Sequence, residues 1–310
     1  MEYIVGLDSL AHDARSIVTV GTFDGVHLGH RSIIAYLVER AHLRRGISVA
    51  VSFHPHPRDV VRGTPTPLLT TIEERAEALD ALGLDRFIVI PFTPELAGMD
   101  AAAFVTDVLL ARIGLQEIVI GYDHGFGRGR EGDSALLREL GEQYGFGVDV
   151  IPAQVLEADV VSSTRIRQVL VDEGDVRQAA GMLGRPYRLT GSVIRGDGRG
   201  RLIGYPTANL AVDNPRKVVP MPGVYAVRVW RPGVATPAAG MLNIGVRPTF
   251  NGADLRIEVH LLDVEADLYG HSLRVDFVER IRDEKKFTTV DALVEQLSKD
   301  KARCMAELER

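Results

Sequence analysis

Two histidines stand three residues apart in Gly21-Thr22-Phe23-Asp24-Gly25-Val26-His27-Leu28-Gly29-His30. On a helical turn that spacing puts both imidazoles on one face, where two N–H donors can hold phosphate oxygens. The segment sits where an apolar strand turns into a helix, so backbone N–H groups and a helix N-terminus can face an anion. A transferring phosphoryl group needs alignment and charge stabilisation more than a protein nucleophile, and paired histidines without a Ser-His-Asp set suit that task. For so short a motif, two surface histidines in a glycine turn are the competing reading.

A second cradle is Val161-Ser162-Ser163-Thr164-Arg165-Ile166-Arg167, with hydroxyls at a helix start and a guanidinium one turn on; a plain helix cap is its alternative. The loop Gly121 to Gly132 adds Arg128 and Arg130 at the C-terminal end of another strand, the edge where open α/β sheets bind ligands. Gly127-Arg128-Gly129-Arg130-Glu131-Gly132 also matches GxGxxG, with Asp149 at a plausible distance for a ribose. That fingerprint needs its first glycine at the strand end, and Gly127 comes well after Gly121, so the match reads as accidental. Ser52-Phe53-His54-Pro55-His56-Pro57 has no carboxylate nearby in sequence, which favours a rigid turn lining a ligand pocket over a metal site.

Further along, Gly191 to Arg201 is glycine-rich and basic, a loop whose amides at Gly196, Gly198 and Gly200 can wrap phosphates. It lacks the GxxxxGK[ST] pattern, so a kinase here is not a P-loop enzyme. Thr207 and Asn209 are two apart, and on an extended segment both project to one side, where hard oxygens could meet Mg²⁺. Glu258 alternates with the apolar residues of Ile257-Glu258-Val259-His260-Leu261. A carboxylate turned inward there needs a reason, either general-base chemistry or an ion pair with an arginine.

The elements that must carry these residues come in two rhythms. From Ile17 to Val150, strands at Ile17 to Val20, Ile47 to Phe53, Arg86 to Phe92, Glu117 to Gly121 and Gly147 to Ile151 alternate with helical periods, which predicts a parallel sheet flanked by helices. One helix runs from about Ser32 to Gly46, and another opens with a capping box, Thr71 through Glu74. After a short helical stretch to Leu183, runs at Val224 to Trp230, Arg256 to Leu262 and Ser272 to Phe277 predict a small antiparallel β-barrel, closed by a helix from about Val290. The boundary falls at Gly184-Arg185-Pro186, giving domains 1–184 and 185–310.

The 310-residue length fits about two domains. The start lacks a secretory signal and no segment reaches the roughly 18 apolar residues of a membrane span, so a soluble, cytoplasmic protein is expected. A single cysteine, Cys304, excludes an intrachain disulfide and a cysteine-built zinc site. A net charge of -6 disfavours a large footprint on nucleic acid.

In order and spacing, GTFDGVHLGH, SFHPHP, the Gly121 loop, VSSTRIR, GRGRLIGYPTANL, GVYAV, NIGVRPTF, EVHLLD and DLYG resemble the bacterial bifunctional riboflavin kinase/FAD synthetase family across essentially the whole chain. The resemblance implies a Rossmann-like nucleotidyltransferase domain followed by a riboflavin-kinase-type barrel. It also implies two reactions needing Mg²⁺: ATP phosphorylates riboflavin to FMN in the C-terminal domain, and the N-terminal domain transfers AMP from a second ATP to FMN. Carried over by position, His27 and His30 stabilise the ATP phosphates, with Gly21 and Phe23 in the same nucleotide segment. Ser163, Thr164 and Arg167 form the second phosphate motif, and Asp123 lies near nucleotide or metal. In the kinase half, Thr207 and Asn209 bind Mg²⁺ and ATP beside the loop of Gly196, Gly198 and Gly200, and Glu258 is the base for the riboflavin 5′-hydroxyl. The sequence departs from the family pattern at His124 and Gly125. Two rivals stand beside this reading: an adenylyltransferase whose barrel only binds flavin, and a flavin-responsive regulator of nucleic acid.

Overall fold

The computed structural model describes residues 1–121, 125–151, 155–156, 159–196, 198–249, 252–262, 264, 266 and 268–310. The chain divides into two compact units, Met1–Ser163 and Thr164–Arg310.

In the first unit, strands β1 (Glu2–Val5), β2 (Ser16–Val20), β3 (Ile47–His54), β4 (Arg86–Pro91), β5 (Leu115–Gly121) and β6 (Gly147–Ile151) form one sheet in the order β1-β4-β3-β2-β5-β6. Every pairing is parallel. All five residues of β2 are buried, as expected of a strand covered on both faces. One face carries α1 (Leu28–Arg44) and α3 (Ile72–Asp80), whose Ile34, Leu37, Ala41 and Leu79 pack on Ile17, Ala50 and Phe87. On the other face, Phe104, Val105, Val108 and Leu109 of a helix continuing from α5 (Ala101–Ala103) in π-helical turns, with Leu137 of α6 (Ser134–Tyr144), pack on Val18, Val51 and Ile88. The short helices α2 (Pro57–Arg62) and α4 (Pro94–Gly98) follow β3 and β4. The sheet grows in opposite directions from β2, through β3 and through β5, so the switch point lies at their carboxyl ends. The edge strand β1 is an addition to the five expected strands. The capping box is present in both arms, Thr71 Oγ1 accepting from Glu74 N–H and Glu74 accepting from Thr71 N–H.

A two-stranded ribbon, β7 (Val155–Leu156) with β8 (Asp159–Val160), precedes α7 (Ser163–Gln168). In the second unit, α8 (Val176–Leu183) packs on a closed barrel of β9 (Tyr187–Ile194), β10 (Ala208–Val212), β11 (Gly223–Trp230), β12 (Ala238–Thr249), β13 (Gly252–Leu261) and β14 (Ser272–Arg282). All six pairings are antiparallel. A single helical turn, α9 (Arg199–Leu202), stands between β9 and β10. Gly191 to Ile194 therefore complete a strand, and the glycine-rich loop starts only after them. Inside the barrel the Tyr225 and Phe277 rings meet edge to face at 5.2 Å. Outside it, α10 (Val290–Leu308) lays Leu297 and Met305 against Val224, Met241 and Ile281, and an Arg282–Asp300 pair at 2.7 Å fastens it to β14. Cys304 lies on the buried face of this helix, and burial pushes its thiol up to about 12. Among the described residues, no helix is long and apolar enough to cross a membrane.

Candidate active sites

The chain leaves β2 into a turn of unusual backbone. Phe23 (φ 48°), Gly25 (φ 86°) and Val26 (φ 42°) are all left-handed. For Val26, a β-branched residue, that conformation is strained and persists only because its surroundings impose it. The turn ends on His27, which caps α1: its Nδ1 accepts the His30 N–H at 3.4 Å. The helix thus starts at Leu28, ahead of the expected Ser32, because a histidine supplies the cap. The two imidazoles stack with centroids 3.6 Å apart, and the buried Phe23 ring meets His30 edge-on at 5.4 Å. A Cβ on Gly21 would press on the Phe23 ring at 3.0 Å, so a larger residue there would have to displace the ring. With Nδ1 of His27 an acceptor, the neutral ring carries its proton on Nε2, the donor a phosphate oxygen needs.

A buried polar network grips this turn. Asp24 accepts from Leu69 N–H at 3.0 Å, from Thr70 N–H at 2.9 Å and from the Thr70 hydroxyl at 3.1 Å. Arg75 approaches the same carboxylate at 3.4 Å and donates to Ser52 Oγ at 3.3 Å, and Ser52 Oγ donates to the Thr22 carbonyl at 3.2 Å. Gly25 N–H donates to Thr70 Oγ1 at 2.9 Å, and Ser163 Oγ donates to the Asp24 carbonyl at 2.8 Å. Sequence reasoning missed Asp24, Thr70 and Arg75. Arg75 left a signal, since it falls between Ile72 and Leu79 on the apolar face of α3, and a buried arginine there demands a partner.

Ser163 begins α7, and Thr164 and Arg167 follow on that helix. Asp123 lies outside the described residues, together with Tyr122 and His124. Beyond them, Gly127 precedes a 3₁₀ turn, Arg128–Arg130, and a Cβ on it would lie 2.8 Å from Ala101. Its glycine thus answers close packing, and α6 is capped by Asp133. Asp149 accepts from Tyr36 Oη at 2.9 Å and faces Arg40 at 3.4 Å. These features agree with an accidental GxGxxG match. At the end of β3 the His54–Pro55 peptide is cis, and His56 caps α2 by accepting Arg58 N–H at 3.1 Å.

In the barrel, register assembles the predicted kinase residues. Asn209 of β10 stands opposite Glu258 of β13, which stands opposite Asn243 of β12. Directly paired residues share a face, and the neighbouring row of Leu242, Ile244, Ile257 and Val259 is buried. That apolar row takes the inside of the barrel. Glu258 therefore belongs to the outer face, a correction to the inward carboxylate its alternation suggested. The glycine loop folds against the same row: a side chain on Gly196 would overlap the Asn209 amide, and one on Gly200 would overlap the Tyr205 carbonyl and lie 3.4 Å from Thr207 Oγ1. Gly198 has φ 66° and open space around it. His260, two residues beyond Glu258, joins its Nδ1 to the Pro206 carbonyl at 2.7 Å and so steadies Pro206 to Asn209. Its position on the outer face with Glu258 was the available signal.

Among the described residues, no group of three His, Cys, Asp or Glu side chains could hold a metal. The hydroxyl of Thr207 and the amide oxygen of Asn209 are hard donors of the kind Mg²⁺ takes alongside phosphate and water.

Residues 9–165 match the FAD synthetase family and residues 183–308 the riboflavin kinase family. The bifunctional riboflavin kinase/FMN adenylyltransferase of Escherichia coli K12 is 37% identical over 97% of this chain and 96% of its own length. The chain belongs to the bifunctional riboflavin kinase/FMN adenylyltransferase family. The family member of Pseudomonas fluorescens is 38% identical, covering 99% of this chain and 97% of its own length. A solved structure described as a macrolide-efflux protein from Streptococcus pneumoniae has the same fold from end to end, with a TM-score of 0.89 and 30% identity over 97% of this chain and 98% of that one. Its description concerns transport, and the likeness carries the fold.

Proposed function

We propose that this chain phosphorylates riboflavin to FMN with ATP and transfers AMP from a second ATP to FMN, releasing pyrophosphate and FAD. We assign residues 1–184 to adenylyl transfer and 185–310 to phosphorylation. One observation supports the reading: each half brings together residues assigned to its reaction, the stacked His27 and His30 after β2 and the Asn209–Glu258 register pair beside the Gly196 loop.

In phosphorylation, Glu258 accepts the proton of the riboflavin 5′-hydroxyl as its oxygen attacks the γ-phosphorus of ATP and ADP leaves. The amides of Gly196, Gly198 and Gly200 receive the phosphates. Thr207 and Asn209 would hold Mg²⁺, which neutralises phosphate charge when bound. In adenylyl transfer, a phosphate oxygen of FMN attacks the α-phosphorus of ATP, and His27 and His30 donate to the phosphate oxygens on which charge builds. Ser163, Thr164 and Arg167 are assigned to the same nucleotide's phosphates. The ligands on this reading are small molecules and the setting is the cytoplasm.

Riboflavin, ATP and Mg²⁺ given to the purified chain should yield FMN and then FAD by chromatography. FAD from supplied FMN, with no FMN from riboflavin, would leave the barrel a binding module. Absence of both products would overturn the proposal.

A further inference from the structure

We propose that Thr70 is a positioning residue for adenylyl transfer, its hydroxyl fixing the left-handed turn that delivers His27 and His30. This inference rests on the assignment of those histidines to the reaction.

The turn does not hold itself. Phe23 and Val26 occupy backbone conformations that their side chains disfavour, so outside contacts must impose them. Thr70 supplies two at once: its hydroxyl accepts the Gly25 N–H at 2.9 Å and donates to Asp24 Oδ1 at 3.1 Å, while its own N–H donates to that oxygen at 2.9 Å. Gly25 lies between Asp24 and the strained Val26, whose N–H closes the turn on the Phe23 carbonyl at 3.0 Å. Thr70 is 4% exposed, so bulk water is poorly placed to replace these bonds. Its own placement is firm, because the next residue opens the capping box that starts α3. Asp24 and Arg75 share the network, but each carries a buried charge whose removal disturbs folding generally. Thr70 allows a cleaner change, since valine keeps its shape and both charges of the Asp24–Arg75 pair while deleting the hydroxyl bonds to Gly25 and Asp24 and the longer one, 3.5 Å, from Arg75 Nε.

The experiment uses the full chain with Thr70→Val, Thr70→Ser and His27→Ala, following FMN-to-FAD and riboflavin-to-FMN turnover separately. Side-chain ¹⁵N NMR reports the His27 tautomer. Thr70→Val should lower kcat for FAD formation about 10- to 100-fold with KM for FMN little changed. It should leave riboflavin phosphorylation intact and turn the single Nε2–H signature of His27 into an averaged one, whereas Thr70→Ser should restore both turnover and signature. Wild-type kcat in Thr70→Val, equal loss in Thr70→Ser, an unchanged tautomer signature, or a parallel fall of both reactions would each overturn the inference. If the valine variant does not fold, Thr70→Cys, of similar size with a weak donor and acceptor, replaces it. An intermediate kcat then supports the idea and wild-type kcat overturns it. Should His27→Ala keep full FAD formation, the assignment of the histidines fails; should His27→Ala lose it while Thr70→Val does not, the inference alone fails.

Discussion

The two proposed reaction centres are built by opposite means. The His27 turn is gripped by side chains from distant segments, Ser52, Thr70, Arg75 and Ser163, through buried hydrogen bonds and one buried ion pair. The Asn209–Glu258 centre is set by strand register and by a neighbouring loop whose glycines let backbone lie directly on side chains. The first should be sensitive to polar and charge changes far from the histidines. The second should be sensitive to single methyl groups.

Removing the reacting groups tests whether the centres are separate at all. Glu258→Ala should lower FMN formation by about 10²–10⁴-fold and leave FMN-to-FAD conversion intact. Replacing His27 and His30 by alanine should do the reverse, by at least about 10²-fold. Loss of both activities in one folded variant would break the division.

Next, Gly196→Ala should reduce riboflavin phosphorylation about 10- to 100-fold by displacing Asn209, with FAD formation from FMN unchanged. Gly198→Ala meets no neighbour and should instead lower stability by about 1 kcal/mol through its positive φ. Equal kinetic effects of the two would refute the close-fit account.

For the first unit, Arg75→Met strands the Asp24 carboxylate and should cost about 3–5 kcal/mol by urea denaturation. An effect confined to alkaline pH concerns Cys304, whose thiol rises from 9.0 to about 12. The unfolded chain ionises first, so the stability it lends is complete below about pH 9 and falls as the pH rises toward 12. Measured against Cys304→Ala, the wild type should lose up to about 1.4 kcal/mol per pH unit in that window.

The parallel sheet was legible because its strands are near-continuous β-branched runs such as Ser16–Val20. The barrel was half-hidden, since β9, β10 and β12 were not drawn as strands, and Gly191 was read as part of a glycine-rich loop. In the structure Gly191 and Gly240 answer crowding: added side chains would strike the Ala211 carbonyl at Gly191 and Val229 at Gly240. Glycine marks close approach as well as turns, and one sequence does not separate the two. Four-residue β1 has too few positions to establish a period. At the proposed sites, His27, His30, Thr207, Asn209 and Glu258 could be named from sequence because each candidate lies in a short local motif. Thr70 and Asp24 were not, because 46 positions separate the partners and only folding brings them together.

The hydrogen bond from Ser163 to the Asp24 carbonyl spans 139 positions. A ribosome adding about 5–20 residues per second needs roughly 7–28 s to make the second partner after the first. Through that interval a nascent chain lacks this latch. The turn that carries His27 therefore gains its last partner late in the synthesis of its own unit, and slow translation lengthens that wait.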